Sequence, residues 1–263
     1  MNKFKTIFSG HNEEEGSALF ELFHENSKLT PYQTKIPYAE VQEKMKHLIV
    51  SFDYSHFLTT YFTTPPEPVN VSLDYAILNR RTNLTPIPVE ISLQQLHTLL
   101  HYSYGITSSN EDTDFLYPFR ATPSGGALFP LEIYFHHNYV TGLESGLYHY
   151  NPTLNCISCL QKGDYTAKLK RAFMQPDLVQ NSTLVAFITG IFPRSAFKYG
   201  ERAYRFANIE AGHIAQNFAL TATGLGLSCV TVGGFVDKLI DDFLMLDGVN
   251  HSILYAIALN GRK

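Results

Sequence analysis

Tryptophan is absent from this chain and cysteine occurs only three times. Three thiols give no disulfide framework and suit a reducing compartment, so an ordinary packed core must hold the fold. A dominant charge of one sign is also missing. Twenty Lys and Arg against 24 Asp and Glu leave a formal net charge of −4. That balance excludes a nucleic-acid binder relying on a broad basic surface, while leaving room for one local basic pocket. No apolar run reaches the length of a bilayer span. The N-terminus, Met1 to Lys5, leads into the polar stretch Ser9 to Gly16, not into the apolar region of a signal peptide. These absences together predict a cytoplasmic protein. There is no Walker A sequence, no internal repeat and no low-complexity tract. Gly224-Leu225-Gly226 resembles the start of a dinucleotide fingerprint, but it follows a helical pattern and Cys229 stands where the third glycine belongs. Those glycines read as a helix stop.

What is present is a chain of 263 residues, 44% hydrophobic and 17% charged, long enough for one large domain with an appendage. Residues 1–70 read as that appendage, with short helices from about Ala18 to Phe23 and Tyr38 to Leu48. The stiff connector Thr63-Thr64-Pro65-Pro66-Glu67-Pro68 closes it. Residues 71–263 carry the regular pattern. Helices are expected at Leu73–Asn79, after the N-cap Ser92 up to Gly105, from about Glu201 to Thr223, and from Val236 to Leu244. Strands are expected at Leu131–His137, Gly146–Tyr150, Cys156–Leu160, Thr183–Phe192, Ser228–Val232 and Ser252–Leu259. Their uneven alternation favours an α+β sandwich over a doubly wound sheet.

Several motifs carry chemistry in name only. Cys156 and Cys159 have CxxC spacing, but residues three apart on a strand face opposite sides, and no second pair exists for zinc. His136 and His137 diverge for the same reason. Glu13-Glu14-Glu15 reads as a solvated run. Three others are more informative. Thr122-Pro123-Ser124-Gly125-Gly126-Ala127 is a turn whose bare backbone lets a ligand approach closely, as does Gly233-Gly234 after its strand; a plain tight turn is the competing reading. Arg80-Arg81-Thr82 offers two guanidinium forks and a hydroxyl to a phosphate, against the blander reading of a charged helix end. Lys198-Tyr199, just ahead of the long Ala-rich helix, puts an ammonium beside a phenol. Such a neighbour favours the phenolate, a usable proton acceptor.

The order of these pieces resembles the nitroreductase-like flavoproteins, and within them the azoline dehydrogenases of the SagB/McbC type. The resemblance covers most of the chain from about Leu73 onward. It rests on Arg120–Glu132, Gly146–Pro152, Phe197-Lys198-Tyr199 with Tyr204-Arg205, and the Gly212, Gln216, Asn217 and Leu220 spacing. It also touches Phe23-His24-Glu25-Asn26-Ser27-Lys28. The resemblance implies an α+β FMN fold, a central mostly antiparallel sheet flanked by helices, and a homodimer with FMN at its interface. It assigns Arg80, Arg81 and Thr82 to the FMN phosphate and ribityl, Pro123, Ser124 and Gly125 to the loop approaching the flavin, and Val232, Gly233 and Gly234 to its N5 edge. Arg262, with Lys263 beside it, becomes a late phosphate contact. The chain departs from the family at Leu84, where a second basic residue is common. Lys198 and Tyr199 match the catalytic pair of the azoline oxidases, which general nitroreductases lack.

The resemblance therefore implies FMN-dependent dehydrogenation of thiazolines or oxazolines in a ribosomally made precursor peptide, with a cyclodehydratase complex as partner, neither nucleic acid nor membrane being engaged, and no metal. Two alternatives stay open from the sequence. One is a freestanding FMN nitro- or quinone reductase using NAD(P)H. The other is a non-catalytic scaffold subunit of a peptide-modifying complex.

Overall fold

Strands with apolar side chains on both faces need cover on both faces, and this chain supplies it. The computed structural model describes residues 19–31, 36–110 and 117–262. The acidic run Glu13–Glu15 and Lys263 lie outside them. In chain order, α1 (Leu19–Asn26) and α2 (Tyr38–Lys46) precede β1 (Leu58–Tyr61) and α3 (Leu73–Asn79). Next come β2 (Ile91–Ser92), α4 (Leu93–Tyr104), β3 (Ile106–Ser109), β4 (Pro118–Arg120), β5 (Leu131–His137) and β6 (Val140–Thr141). The chain continues through β7 (Gly146–Asn151), β8 (Cys156–Lys162), α5 (Thr166–Lys170), α6 (Pro176–Gln180) and β9 (Leu184–Ile191). It ends with α7 (Pro193–Tyr199), α8 (Arg202–Gly224), β10 (Leu227–Val232), α9 (Asp237–Leu244) and β11 (His251–Gly261).

Seven strands form one sheet in the order β1-β8-β7-β5-β9-β11-β10, and each neighbouring pair is antiparallel. The period of two sorts its side chains into two cores. Ile133, Phe135, Ala186, Ile188, Ile257 and Leu259 face α4 and α8. Tyr134, Val185, Phe187, Ala256 and Ala258 face the side of α5, α6 and α9. All seven residues of β5 are buried, Glu132, His136 and His137 among them, so its polar side chains must find partners inside the fold. The α+β expectation with a large antiparallel sheet flanked by helices holds.

Local signals explain the helix starts. Ser92 and Gln95 form a reciprocal capping box: the Gln95 N–H donates to Ser92 Oγ at 3.0 Å, and the Ser92 N–H donates to Gln95 Oε1 at 2.9 Å. In α8 the buried positions include Ala203, Ala207, Ala211, Ala215, Ala219 and Ala222. Their small size lets the helix lie close over the sheet.

Two features differ from the sequence reading. Lys198 and Tyr199 do not precede the long helix as free chain; they form the last turn of α7, with Pro193 in its first turn. Seven residues are too few for a periodic signal, and Gly200, at φ 54°, breaks the path before α8. The N-terminal stretch is also tied into the main body. Leu58–Tyr61 is an edge strand of the large sheet. The Phe52 N–H donates to buried Glu132 at 2.9 Å, and Arg120 donates to the Val50 carbonyl at 2.5 Å. Further upstream, Arg205 and Arg202 of α8 donate to the His24 and Ser27 carbonyls at 2.7 and 3.1 Å. These guanidinia sit where the C-terminal end of α1 presents its unpaired carbonyls.

Candidate active site

Neighbouring residues of a helix diverge, yet Lys198 and Tyr199 converge on one point. The point is Gly126, in the Ser124–Ala127 turn, held at φ 66°. A Cβ added there would collide with the Tyr199 hydroxyl and lie 2.7 Å from Lys198 Nζ. The ammonium stands 5.3 Å from the Tyr199 ring centroid. Phe206, early in α8, braces both partners. Tyr199 meets it edge-on at 4.9 Å and 83°, and a Cβ at Gly125 would lie 3.1 Å from its ring. Both members of the pair are half-buried and open into a cleft of about 740 Å³ whose walls include Leu29, Tyr38, Val41 and Phe197.

Gly126 therefore serves two purposes, a left-handed backbone and space for two functional groups. Gly126→Ala should displace the Tyr199 hydroxyl by enough to cost about a hundredfold in turnover. The fold should persist. Steady-state rates beside a circular-dichroism spectrum check this, and an unimpaired variant would contradict the geometry.

A second cluster gathers the expected phosphate ligands. Arg81, Thr82 and Arg262 line a cleft of about 290 Å³ together with Asn79, Asn83 and Ser228. Two guanidinia, two amides and three hydroxyls, Thr223 supplying the third, with no carboxylate among the lining residues, fit a phosphate. Asn83 ties the segment to the last strand by donating to the Gly261 carbonyl at 3.4 Å. Arg81 now rests on carbonyls, donating to Leu78 at 2.6 Å and Arg80 at 2.8 Å. Arg80 is not in this lining. It lies near Cys229, whose thiol burial pushes up to about 12 against the pull of that guanidinium.

The other expected residues sit apart. Pro123 is exposed and Ser124 and Gly125 are half-buried in the Gly126 turn. Val232 ends β10, and Gly234 accepts from the Met174 N–H at 2.9 Å. Gly233 is about 17 Å along the strand from Ser228 at the usual rise. The widest separation runs along α8. From Phe206, beneath the glycine turn, to Thr223, on the edge of the phosphate cleft, the helix climbs about 25 Å.

Two buried acidic residues were not among the site residues expected from sequence. Glu132 is 1% exposed and 2.6 Å from Arg194 Nη2, with His149 Nε2 at 2.7 Å. Burial alone would raise its pKa; the Arg194 guanidinium and the His149 contact outweigh that and hold it at about 2. Glu210 is equally buried and receives the Tyr104 hydroxyl at 2.7 Å. Its signal was available: an acid on the apolar stripe of α8, between Ala207 and Ile214, has no bland place in a helix that buries that face. Among the described residues no group of three His, Cys, Asp or Glu could hold a metal, and no helix is long and apolar enough to cross a membrane.

This antiparallel sheet, with α4 and α8 covering one face, is the nitroreductase fold, and the chain belongs to the nitroreductase family, whose profile matches residues 84–262. Its relatives divide by what they are named for. The MJ1384 protein of Methanocaldococcus jannaschii is 31% identical over 69% of this chain and 88% of its own length. The trifolitoxin-processing protein TfxB of Rhizobium leguminosarum is 30% identical over 66% of this chain and 48% of its own. The microcin B17-processing protein McbC of Escherichia coli is 31% identical over 49% of each. The matches with these two processing proteins thus span about half of their lengths. A chain of the E. coli microcin synthetase McbBCD complex, solved with truncated pro-MccB17 bound, shares the fold at a TM-score of 0.57 and 22% identity, over 93% of this chain and 92% of that one.

Proposed function

We propose that this protein is an FMN-dependent azoline dehydrogenase of the cytoplasm, converting thiazolines or oxazolines of a ribosomally made peptide into thiazoles or oxazoles. The observation that carries this reading is the meeting of Lys198 and Tyr199 at Gly126, an acid–base pair aimed at a backbone with no side chain in the way. FMN, when bound, supplies the two-electron oxidation. The chain's own part is binding and proton transfer. Arg81, Thr82 and Arg262 hold the phosphate, with Arg80 behind them. Pro123, Ser124 and Gly125, and Val232, Gly233 and Gly234, present backbone to the ring system. Tyr199 removes the proton from the former Cα, which is acidic because it adjoins both an amide carbonyl and a ring C=N. Lys198 stabilises negative charge on the phenol oxygen. The names of TfxB and McbC, processing proteins of two peptides, favour a peptide substrate over a free nitro compound. The McbBCD synthetase complex, one chain of which shares this fold, supports assembly with a synthetase partner, a cyclodehydratase in this reading, for which residues 1–70 are the candidate contact region.

The site needs two copies of the chain. The glycine turn and the phosphate cleft are separated along α8 by more than the length of an FMN molecule, so one flavin engages both only when they come from different protomers of a homodimer. Mixing two inactive proteins tests this. An Arg81→Ala/Arg262→Ala protein and a Tyr199→Phe protein, randomly re-paired, should recover about a quarter of wild-type activity, because half of the pairs are mixed and one of their two sites is intact. Failure to recover would rule out sharing between protomers. Rapid bleaching of the flavin by NAD(P)H, with azolines left unoxidised, would favour the reductase reading instead.

A further inference from the structure

The cleft that holds Lys198 and Tyr199 has two walls of different origin. The end of α7 makes one, and Leu29, Pro31, Ile36, Tyr38 and Val41, from the N-terminal stretch, make much of the other. Two fastenings hold this second wall. Upstream, the Arg205 guanidinium donates to the His24 carbonyl at 2.7 Å and lies 3.1 Å from His24 Nδ1, while Arg202 donates to the Ser27 carbonyl at 3.1 Å. Phe23 meets Tyr204 edge-on at 5.4 Å, and Ser27 is buried. Downstream, Val41 is the one buried residue of α2, and Lys44 Nζ sits 5.7 Å from the Phe197 ring centroid. The wall thus stands on α8 and α7, the helix that carries the catalytic pair and the helix that follows it.

Between these fastenings the wall offers apolar surface. Leu29 and Tyr38 remain 66% and 76% exposed, and Lys198 is the one charged residue among the described lining. The cleft volume, about 740 Å³, is that of a site for a drug-sized ligand and exceeds what one five-membered ring fills. A ring within a peptide also has a residue on each side. At about 3.3–3.6 Å per residue, a ring reacting at Tyr199 carries those neighbours into this cleft.

We propose that Leu29, Pro31, Ile36, Tyr38 and Val41 form a specificity wall that selects azolines flanked by apolar residues, and that Arg205 is the positioning residue that holds it. The inference rests on the reading of Lys198 and Tyr199 as the azoline-oxidising pair. An apolar flanking side chain gains by leaving water for this wall. An amide side chain there gives up hydrogen bonds to water that an aliphatic surface does not return. If the wall served instead to seat a second copy of the chain or the flavin ring, it would treat both kinds of peptide alike.

The test uses the flavin-loaded protein and two synthetic peptides, each with one thiazoline, flanked on both sides by leucine in one and by asparagine in the other. Wild type should show a kcat/KM about tenfold higher for the leucine peptide, the worth of partly burying one leucine side chain. Leu29→Ser should narrow that preference to about threefold, through a rise in KM for the leucine peptide. Arg205→Ala should narrow it likewise through KM, with kcat held, because α7 still brings Lys198 and Tyr199 to Gly126. A fall in kcat shared by both peptides would make Arg205 a general support of the fold and overturn its role. If wild type oxidises both peptides equally well, or if Leu29→Ser leaves the preference unchanged or lowers both peptides in parallel, the wall does not select and the inference is refuted while azoline oxidation stands. If wild type oxidises neither peptide, the azoline reading fails and the inference with it. Should Arg205→Ala not fold, Leu29→Ser, at an exposed position, decides alone.

Discussion

Tyr199→Phe should yield a yellow protein that has lost about a hundred- to ten-thousand-fold of its azoline-oxidising rate, the usual worth of a general base. The substitution removes one oxygen. The ring keeps its edge-on contact with Phe206 and its place in the wall of the large cleft, so folding and flavin binding should be unaffected. Lys198→Met should lose less, because it leaves the base in place and removes only the charge that steadies it. A Tyr199→Phe enzyme that forms azoles at the native rate would remove the phenol from the chemistry. Loss of colour along with activity would mean that the hydroxyl serves flavin binding and not only proton transfer.

Arg194→Ala should destabilise the fold by about 3–5 kcal/mol, because it strands the buried Glu132 carboxylate without its main counter-charge. Glu132 would keep His149 and the Phe52 N–H, but neither replaces the positive charge of the guanidinium. The effect should reach the catalytic pair as well, since Arg194 stands in the first turn of α7 and Lys198 and Tyr199 end it. Urea unfolding monitored in the far ultraviolet gives the loss directly. An Arg194→Met/Glu132→Leu double variant should recover much of it, since the pair's benefit is largely mutual satisfaction of charges that need not be buried at all. The same carboxylate makes a signed contribution to acid stability. Its folded pKa, about 2, lies below the ordinary 4.5, so its stabilisation is complete above the latter and drains away as pH falls towards the former. A single-variant loss under about 1 kcal/mol would show that the ion pair matters little.

Much of this architecture was legible because strong local signals agreed with the global fold. Ser92 announced α4, and the alanine stripe announced α8. The β-branched and aromatic runs announced β5 and β9. What escaped was short or edge-like. The four residues of β1 carry no alternation longer than a turn, and α5 and α6 have five residues each, below any helical periodicity. For the site, residue identity was readable but convergence was not. Arg81, Thr82 and Arg262 meet in one cleft although nearly the whole domain separates them in sequence, because β10 and β11 pair at Leu227 and Gly261 and bring the C-terminus beside α3. Gly126 looked like one more turn residue. Only the packing of α7 against the turn shows that its missing side chain makes room for Tyr199 and Lys198.

The decisive measurement is the mass of an azoline-containing peptide after incubation with the purified, flavin-loaded protein. Loss of two hydrogens per ring, abolished by Tyr199→Phe and intact in an otherwise matched wild-type sample, is the expected result. An unchanged peptide mass under conditions where the flavin is bound and turns over with another substrate would contradict it.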